Sequence, residues 1–291
     1  MAVAATGFFD GVHLGHQAVI KTLLDCASRH GGQSLVISFW PHPRVFLQNG
    51  ARELCLLCSQ EEKLSLLSAF GVDKVEIMPF SSDFAALDAR AYLTMLRDNY
   101  GVGCIVLGYD NRFGSDGLDT MQIASLAREM GFEVEVVEHA TVDGEVVSST
   151  KIRKLLQVGD VSLAGRMLGY GYSLTGVVVA GKQMGRTIGF PTANLQLREP
   201  LKCVPAAGVY LSEVQVKGLT YFGMSNIDSV RRIETHILDF DEDIYGLDIK
   251  VSFIDRIRDE MHFNSFDELK IQLELDRMSV KNRIFAADEK R

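Results

Sequence analysis

The sequence is poor in cysteine, proline and tryptophan: its 291 residues include five Cys, six Pro and one Trp. The cysteines (Cys26, Cys55, Cys58, Cys104, Cys203) are odd in number, and the lone C-x-x-C, Cys55 to Cys58, has no second pair at zinc-ribbon spacing. A disulfide-stapled secreted domain and a zinc ribbon are therefore poor readings, and both thiols of that pair are expected to be buried in a reducing cytoplasm. No apolar run approaches 18 residues, and no charged-then-apolar leader precedes the first apolar segment. Neither a membrane span nor a signal peptide is expected. Basic charge is also wanting, with 30 Lys+Arg against 38 Asp+Glu and a net charge of −8, of which residues 1–150 carry −9 and residues 151–291 carry +1. A surface that binds nucleic acid has the opposite sign, so no nucleic-acid partner is expected. There is no G-x-x-x-x-G-K-[S/T], no H-E-x-x-H, no internal repeat and no Pro/Gly/Ser-rich linker. P-loop kinases, zinc proteases and solenoids drop out.

What remains is a globular composition, 47% hydrophobic and 23% charged, in a chain long enough for two domains. In the first half, short apolar runs (Val3 to Ala5, Leu35 to Phe39, Val75 to Met78, Ile105 to Leu107, Val134 to Val137) alternate with amphipathic stretches. That pattern predicts an α/β domain with a parallel sheet and ligands beyond the carboxyl ends of its strands. One helix is expected after Ser59, where Glu62 completes a capping box. Beyond about residue 170 the texture changes to β-rich segments without intervening helices: Leu174 to Val179, Val209 to Val216, Tyr221 to Met224, Ile233 to Leu238 and Ile249 to Ile254. An antiparallel barrel or sandwich is expected, with a terminal helix opening at Ser265 and Glu268 and laying Phe266, Leu269 and Leu273 on one face. The connection over residues 157–172 reads as helical, and the domains are expected at 1–157 and 158–291.

Four segments of the first half carry chemistry. Gly7-Phe8-Phe9-Asp10-Gly11-Val12-His13-Leu14-Gly15-His16 follows the first strand and opens a helix. Two imidazoles in that first turn, with Gly15 between them, can face an anion resting on free backbone N–H groups, and phosphate is the obvious anion. Two surface histidines beside a glycine turn are the alternative. Phe39-Trp40-Pro41-His42-Pro43 follows the second strand and Gly108-Tyr109-Asp110-Asn111-Arg112-Phe113-Gly114 the fourth. Ser148-Ser149-Thr150-Lys151-Ile152-Arg153 follows the fifth, putting two cations into a helix's first turn, a poor place for them unless an anion binds there. A capped helix with solvated basic residues is the plainer reading.

Together these segments resemble the adenylyltransferase module of the bacterial bifunctional riboflavin kinase/FMN adenylyltransferases, with a Rossmann-like nucleotidyltransferase fold. The resemblance implies that His13, Gly15 and His16 handle ATP phosphates, with Gly7, Phe8 and Asp10 in the same nucleotide loop. It further implies that Ser149, Thr150 and Arg153 hold the triphosphate, and that Asp110 and Arg112 lie near flavin or nucleotide. The second half resembles the riboflavin kinase module through Gly181-Lys182-Gln183-Met184-Gly185-Arg186-Thr187-Ile188-Gly189-Phe190-Pro191-Thr192-Ala193-Asn194. By that likeness Gly181, Gly185, Arg186 and Thr192 bind ATP, Thr192 and Asn194 coordinate Mg²⁺, and Glu234 is the catalytic base. Arg258, Glu260 and Phe263 border the flavin. A threonine hydroxyl and an asparagine carbonyl are hard oxygen donors suited to Mg²⁺, and Glu234 and His236 share one face of a strand.

The sequence departs from the family pattern at several points. Phe8 stands where the family has Asn, Asn111 where it has Phe, and Asp228-Ser229-Val230-Arg231-Arg232 is a shortened loop before Glu234. The segments before the first strand and after Gly114 are also brief. The expected function is ATP-dependent phosphorylation of riboflavin to FMN and adenylylation of FMN to FAD, with ATP, riboflavin and FMN as small-molecule partners and cytoplasmic location. Retention of one activity alone, or flavin binding without turnover, is the alternative. The sequence assigns no oligomeric state.

Overall fold

Val3, Ala4 and Ala5 are fully buried, because β1 (Ala2–Thr6) is covered on both faces, as a central parallel strand must be. The computed structural model describes residues 1–42, 55–181 and 184–288; Pro43, Lys182 and Gln183 of the motifs above lie outside them. The chain divides into two compact units, Met1–Ser149 and Thr150–Arg291.

In the first unit β1 leads through a short 3₁₀ turn, Asp10–Val12, to α1 (Leu14–Arg29) and β2 (Gln33–Trp40). Then come α2 (Gln60–Ala69), β3 (Lys74–Pro79), α3 (Ser82–Ala85), α4 (Ala89–Tyr100), β4 (Val102–Gly108), α5 (Thr120–Glu129), β5 (Glu133–Val137) and a small hairpin, β6 (Thr141–Val142) with β7 (Glu145–Val146). The five main strands are parallel in the order β3-β2-β1-β4-β5. The pleat sends Val3 and Ala5 into one core with Leu23, Val36 and Leu67. It sends Ala4 into the other with Tyr92, Leu93, Ile105 and Ile123. The expected capping box is present, Glu62 N–H donating to Ser59 Oγ at 3.1 Å and Ser59 N–H to Glu62 Oε2 at 2.8 Å. Strand order reverses between β1 and β4, so the loops leaving these two strands flank the crevice where such sheets take ligands. Asn111 fastens them together, its Oδ1 accepting from Gly108 N–H at 2.6 Å and its Nδ2 donating to the Thr6 carbonyl at 2.8 Å.

In the second unit α6 (Ser149–Val158) and α7 (Val161–Leu168) fill the connecting stretch, which is helical as the sequence implied. The strands that follow are β8 (Ser173–Val179), β9 (Ala193–Leu197), β10 (Gly208–Val216), β11 (Leu219–Ile227), β12 (Ile233–Ile237) and β13 (Asp248–Arg258). A short α8 (Met184–Thr187) lies between β8 and β9, and α9 (Phe266–Asp288) ends the fold. The strands form a closed antiparallel barrel in the order β10-β11-β12-β9-β8-β13. Strand β9 escaped the sequence reading, because the glycine-rich run before it masks its alternation. Inside the barrel the hydroxyls of Ser212, Ser225 and Thr235 form a chain at 2.7 and 2.9 Å, which satisfies all three buried groups.

Two expectations need correction. Cys58 is a buried free thiol, but Cys55 is disulfide-bonded, since C-x-x-C spacing says nothing about a thiol that the fold brings close. On α9, Leu269 and Leu273 turn inward as expected, whereas Phe266, at the helix's first position, is 58% exposed.

The lone tryptophan, Trp40, ends β2, so its fluorescence reports on the first unit. Asn111→Ala leaves the Gly108 N–H and the Thr6 carbonyl without these partners and is expected to cost about 1–3 kcal/mol. A lower urea midpoint of the Trp40 transition checks this.

Candidate functional sites

The loop between β1 and α1 is held in an uncommon backbone. Phe9, Gly11 and Val12 have φ of 54°, 76° and 37°, and for Phe9 and β-branched Val12 that conformation costs about 1–3 kcal/mol each. The buried carboxylate of Asp10 offsets it by accepting the Leu57 N–H at 2.9 Å and the Cys58 N–H at 3.2 Å, while Gly11 N–H donates to Cys58 Sγ at 3.0 Å. Asp10 thus faces inward, and its carbonyl accepts the Ser149 hydroxyl at 3.1 Å.

Beyond this loop His13 caps α1, its Nδ1 accepting the His16 N–H at 3.4 Å. The two imidazoles stack at 3.7 Å between centroids, with the Phe9 ring edge-on to His16 at 5.2 Å. Gly15 permits the stack, since a Cβ there would stand 3.2 Å from His13 Cε1. Burial, assisted by His13 and Lys63, holds His16 well below the usual histidine value, and its Nδ1 is buried without a hydrogen-bond partner. His16 is a neutral ring at pH 7, able to donate or accept but not to supply a full charge.

Phe8 stacks near Trp40 at 6.5 Å and against His42 at 4.1 Å. Below it lies Lys63, which the sequence reading missed. This lysine is fully buried, donates to the Phe8 carbonyl at 2.8 Å and to Ser38 Oγ at 3.0 Å, and sits 3.8 Å from the Phe8 ring centroid. Burial lowers its pKa, against the opposing pull of Cys58 and Asp10. Nothing in its helical context distinguishes it from a solvated lysine; only the fold buries it. Gly7 leads out of β1 at the same sheet end, and Asp110 and Arg112 are exposed in the loop after β4. Thr150 and Arg153 lie on the first turn of α6, in the second unit.

Among the described residues of the second unit lie cavities of about 260 Å³ on either side of Thr192. The first is lined by Arg186, Pro191, Thr192 and the acidic run Asp241 to Asp243 with Tyr245. The second is lined by Gly185, Thr192, Asn226, Glu234, His236, Arg258, Glu260 and Phe263, with Leu269, Leu273 and Asp276 of α9. Thr192 borders both, and its Oγ1 lies 3.4 Å from Glu234 Oε2. Register puts Glu234 opposite Asn194 on β9 and opposite Asn226 on β11. Gly181 must lack a side chain, because a Cβ there would fall 2.3 Å from Asn194 Nδ2. His236 shares the outward face with Glu234, bonds the Pro191 carbonyl through Nδ1 at 2.8 Å and has its pKa lowered, first by burial.

The short loop before Glu234 does not displace it. Asp228 accepts from the Val230 and Arg232 backbone N–H groups at 3.0 and 2.8 Å and from Arg232 Nε at 2.6 Å, closing the turn on itself. Arg258 is less mobile than a surface arginine, because the buried Asp276 accepts its Nε and Nη2 at 2.9 and 2.7 Å and Gln272 braces that carboxylate at 2.9 Å. Asp276 had no signal in the sequence beyond its place on a helix. Among the described residues no three His, Cys, Asp or Glu side chains gather as metal ligands.

Known proteins share both halves. The family model for FAD synthetase matches residues 1–151 and that for riboflavin kinase residues 168–284. Relatives described as bifunctional riboflavin kinase/FMN adenylyltransferase occur in Listeria monocytogenes, 37% identical over 96% of this chain and 91% of that protein. Another, from Bacillus subtilis, is 35% identical over 95% and 90%. A crystal structure from Streptococcus pneumoniae, described as a macrolide-efflux protein, superposes with a TM-score of 0.89 at 32% identity, covering 97% of this chain and 94% of its own. The efflux description belongs to that protein; no described helix of this chain is long and apolar enough to cross a membrane.

The lowered pKa of His16 makes a pH prediction. Its folded-state pKa lies below the unfolded value of about 6.5, so below that pH the unfolded chain binds a proton that the folded chain does not, and stability falls as the solution is acidified. The Trp40 urea transition is expected to weaken between pH 7 and pH 5, and to weaken less in His16→Gln.

Proposed function

Because this chain belongs to the family of bifunctional riboflavin kinase/FMN adenylyltransferases, we propose that the barrel centre at Glu234 and Thr192 performs the kinase step and the loop at His13 and His16 the adenylyl transfer. The enzyme phosphorylates riboflavin to FMN with ATP and adenylylates FMN to FAD, releasing pyrophosphate. The observation that carries the kinase assignment is Thr192 on the wall of both cavities, with Glu234 beside it.

In the kinase step ATP occupies the cavity lined by Arg186, with Gly181 and Gly185 in the adjoining glycine-rich segment, and the flavin occupies the cavity lined by Arg258, Glu260 and Phe263. The ribityl hydroxyl gives its proton to Glu234 as its oxygen attacks the γ-phosphorus, and ADP leaves. Thr192 and Asn194 would be the oxygen donors for Mg²⁺, the Asn194 amide lying against Gly181 where any side chain would displace it. When bound, the ion offsets charge on the phosphate oxygens. Asp276 orients Arg258 so that the guanidinium faces the flavin cavity rather than solvent.

In the adenylyl step an FMN phosphate oxygen attacks the α-phosphorus of ATP. Neutral His16 and the helix-capping His13 offer hydrogen bonds to the phosphates at the start of α1, with Gly7, Phe8, Asp10 and Gly15 shaping the loop, and Ser149, Thr150 and Arg153 hold the triphosphate. With His16 neutral, the positive charge in this set comes from Arg153. Asp110 and Arg112 serve the flavin side. We assign residues 1–157 to this step and 158–291 to the kinase. The start of α6 goes with the first group because its Ser149 to Arg153 segment completes that motif set. We also place the enzyme in the cytoplasm, with small molecules rather than nucleic acid as its partners. Its ATP chemistry and net charge of −8 support this. A protein with one surviving step, or with flavin affinity alone, is not favoured, since both family models match and Glu234 keeps its register.

The test assays each step alone, separating riboflavin, FMN and FAD by chromatography. Glu234→Gln is expected to slow FMN formation by about 10²- to 10⁴-fold while leaving FAD synthesis from supplied FMN intact. His16→Ala is expected to slow FAD synthesis by about 10²-fold or more with riboflavin phosphorylation intact. Unchanged FMN formation in the first variant, or unchanged FAD synthesis in the second, removes that residue from its role.

A further inference from the structure

Helix α9 has two apolar faces. One, formed by Leu269, Leu273, Val280 and Ile284, packs on the barrel with Phe190, Leu211, Met224 and Leu238. The opposite one carries Ile271, Leu275, Met278 and Phe285, which are 64%, 53%, 60% and 69% exposed. These four fall at i, i+4, i+7 and i+14, a stripe along one side of a 23-residue helix, with Asn282 at the i+11 place. A helix that is apolar on both sides is made to be covered on both sides.

Charge along α9 says what covers it. Asp276 and Arg283 are taken up by Arg258 and Asp255 of the barrel; of the other charges, residues 266–275 hold Asp267, Glu268 and Glu274 with Lys270 as the one cation, and residues 277–285 hold Arg277 and Lys281 with no acid. Parallel pairing of two such helices sets acid on acid and base on base. Antiparallel pairing sets each acidic half on a basic half. We propose that the stripe is the contact between two copies of this chain, their α9 helices packed antiparallel about a two-fold axis. In this register Leu275 layers on Met278 of the partner subunit, and Glu274 meets Lys281 of the partner subunit on the flank, each contact occurring twice because a two-fold interface is self-complementary. Glu274 already bonds Arg277 of its own helix at 2.6 Å, which orders its carboxylate on that flank without exhausting its acceptors. One helix stripe is smaller than the roughly 800 Å² per partner of a standard interface, so the dimer dissociates on dilution.

Sedimentation velocity of the full chain from about 1 to about 100 μM tests this. The sedimentation coefficient is expected to rise with concentration from monomer towards dimer. Leu275→Glu with Met278→Glu is expected to stay monomeric throughout, with far-UV circular dichroism showing that the fold is kept. Glu274→Lys alone and Lys281→Glu alone each put like charges together twice and are expected to weaken association about threefold to tenfold; the double exchange restores it to within about twofold. A monomer at every concentration, a dimer indifferent to the Leu275 and Met278 changes, or a double exchange that fails to recover overturns the proposal. Binding of a persistently monomeric chain to anionic vesicles would assign the stripe to a membrane surface instead.

Discussion

Strand β12 lies between β9 and β11, and that pairing carries the proposed kinase centre. Hydrogen bonding along both edges sets Glu234 opposite Asn194 on one side and Asn226 on the other. Shifting the register by one residue would turn Glu234 into the barrel and bring Thr235 out to the cavities. The interior resists such a shift, because the Ser212–Ser225–Thr235 hydroxyl chain closes only when Thr235 points inward. A buried polar chain on one face thereby orients a carboxylate on the other. The five-residue turn at Asp228 keeps the hairpin in step although it is short.

The α/β unit solves a different problem with comparable means. The anion site proposed at the start of α1 needs a backbone bent tightly over the end of β1, and three residues of four, Phe9, Gly11 and Val12, provide the bend with positive φ. Asp10 and Cys58 hold that bend from beneath, and buried Lys63 holds the Phe8 carbonyl. These groups fix the backbone from which His13 and His16 project. Stacking and burial keep His16 uncharged, which suits it to hydrogen bonding rather than to a full electrostatic role.

Charge segregation on α9 has a parallel logic at the surface. One face of this helix supplies Leu269, Leu273 and Asp276 to the cavity lined by Glu234 and Arg258, and the other carries the stripe that a second copy would cover. The proposed association and the order of that cavity thus depend on the same helix.

The two-domain plan, five parallel strands, the capping box at Ser59 and both motif sets were legible in the sequence because each depends on residues near one another in the chain. Period-2 and period-3.6 patterns and a fourteen-residue glycine-rich string survive without tertiary context. Strand β9 was hidden by glycines, Lys63 looked like a surface lysine, Asp276 like any helical acid, and Cys55 like a thiol. Asn111, a departure from the family pattern, proved to tie two loops together across 105 residues of chain. By itself the sequence determined which elements form and which chemical groups are present, since those follow from local propensity, periodicity and spacing. Only the tertiary structure decided which groups are buried, charged or in register, because burial and pairing are set by partners that chain closure brings from far along the sequence.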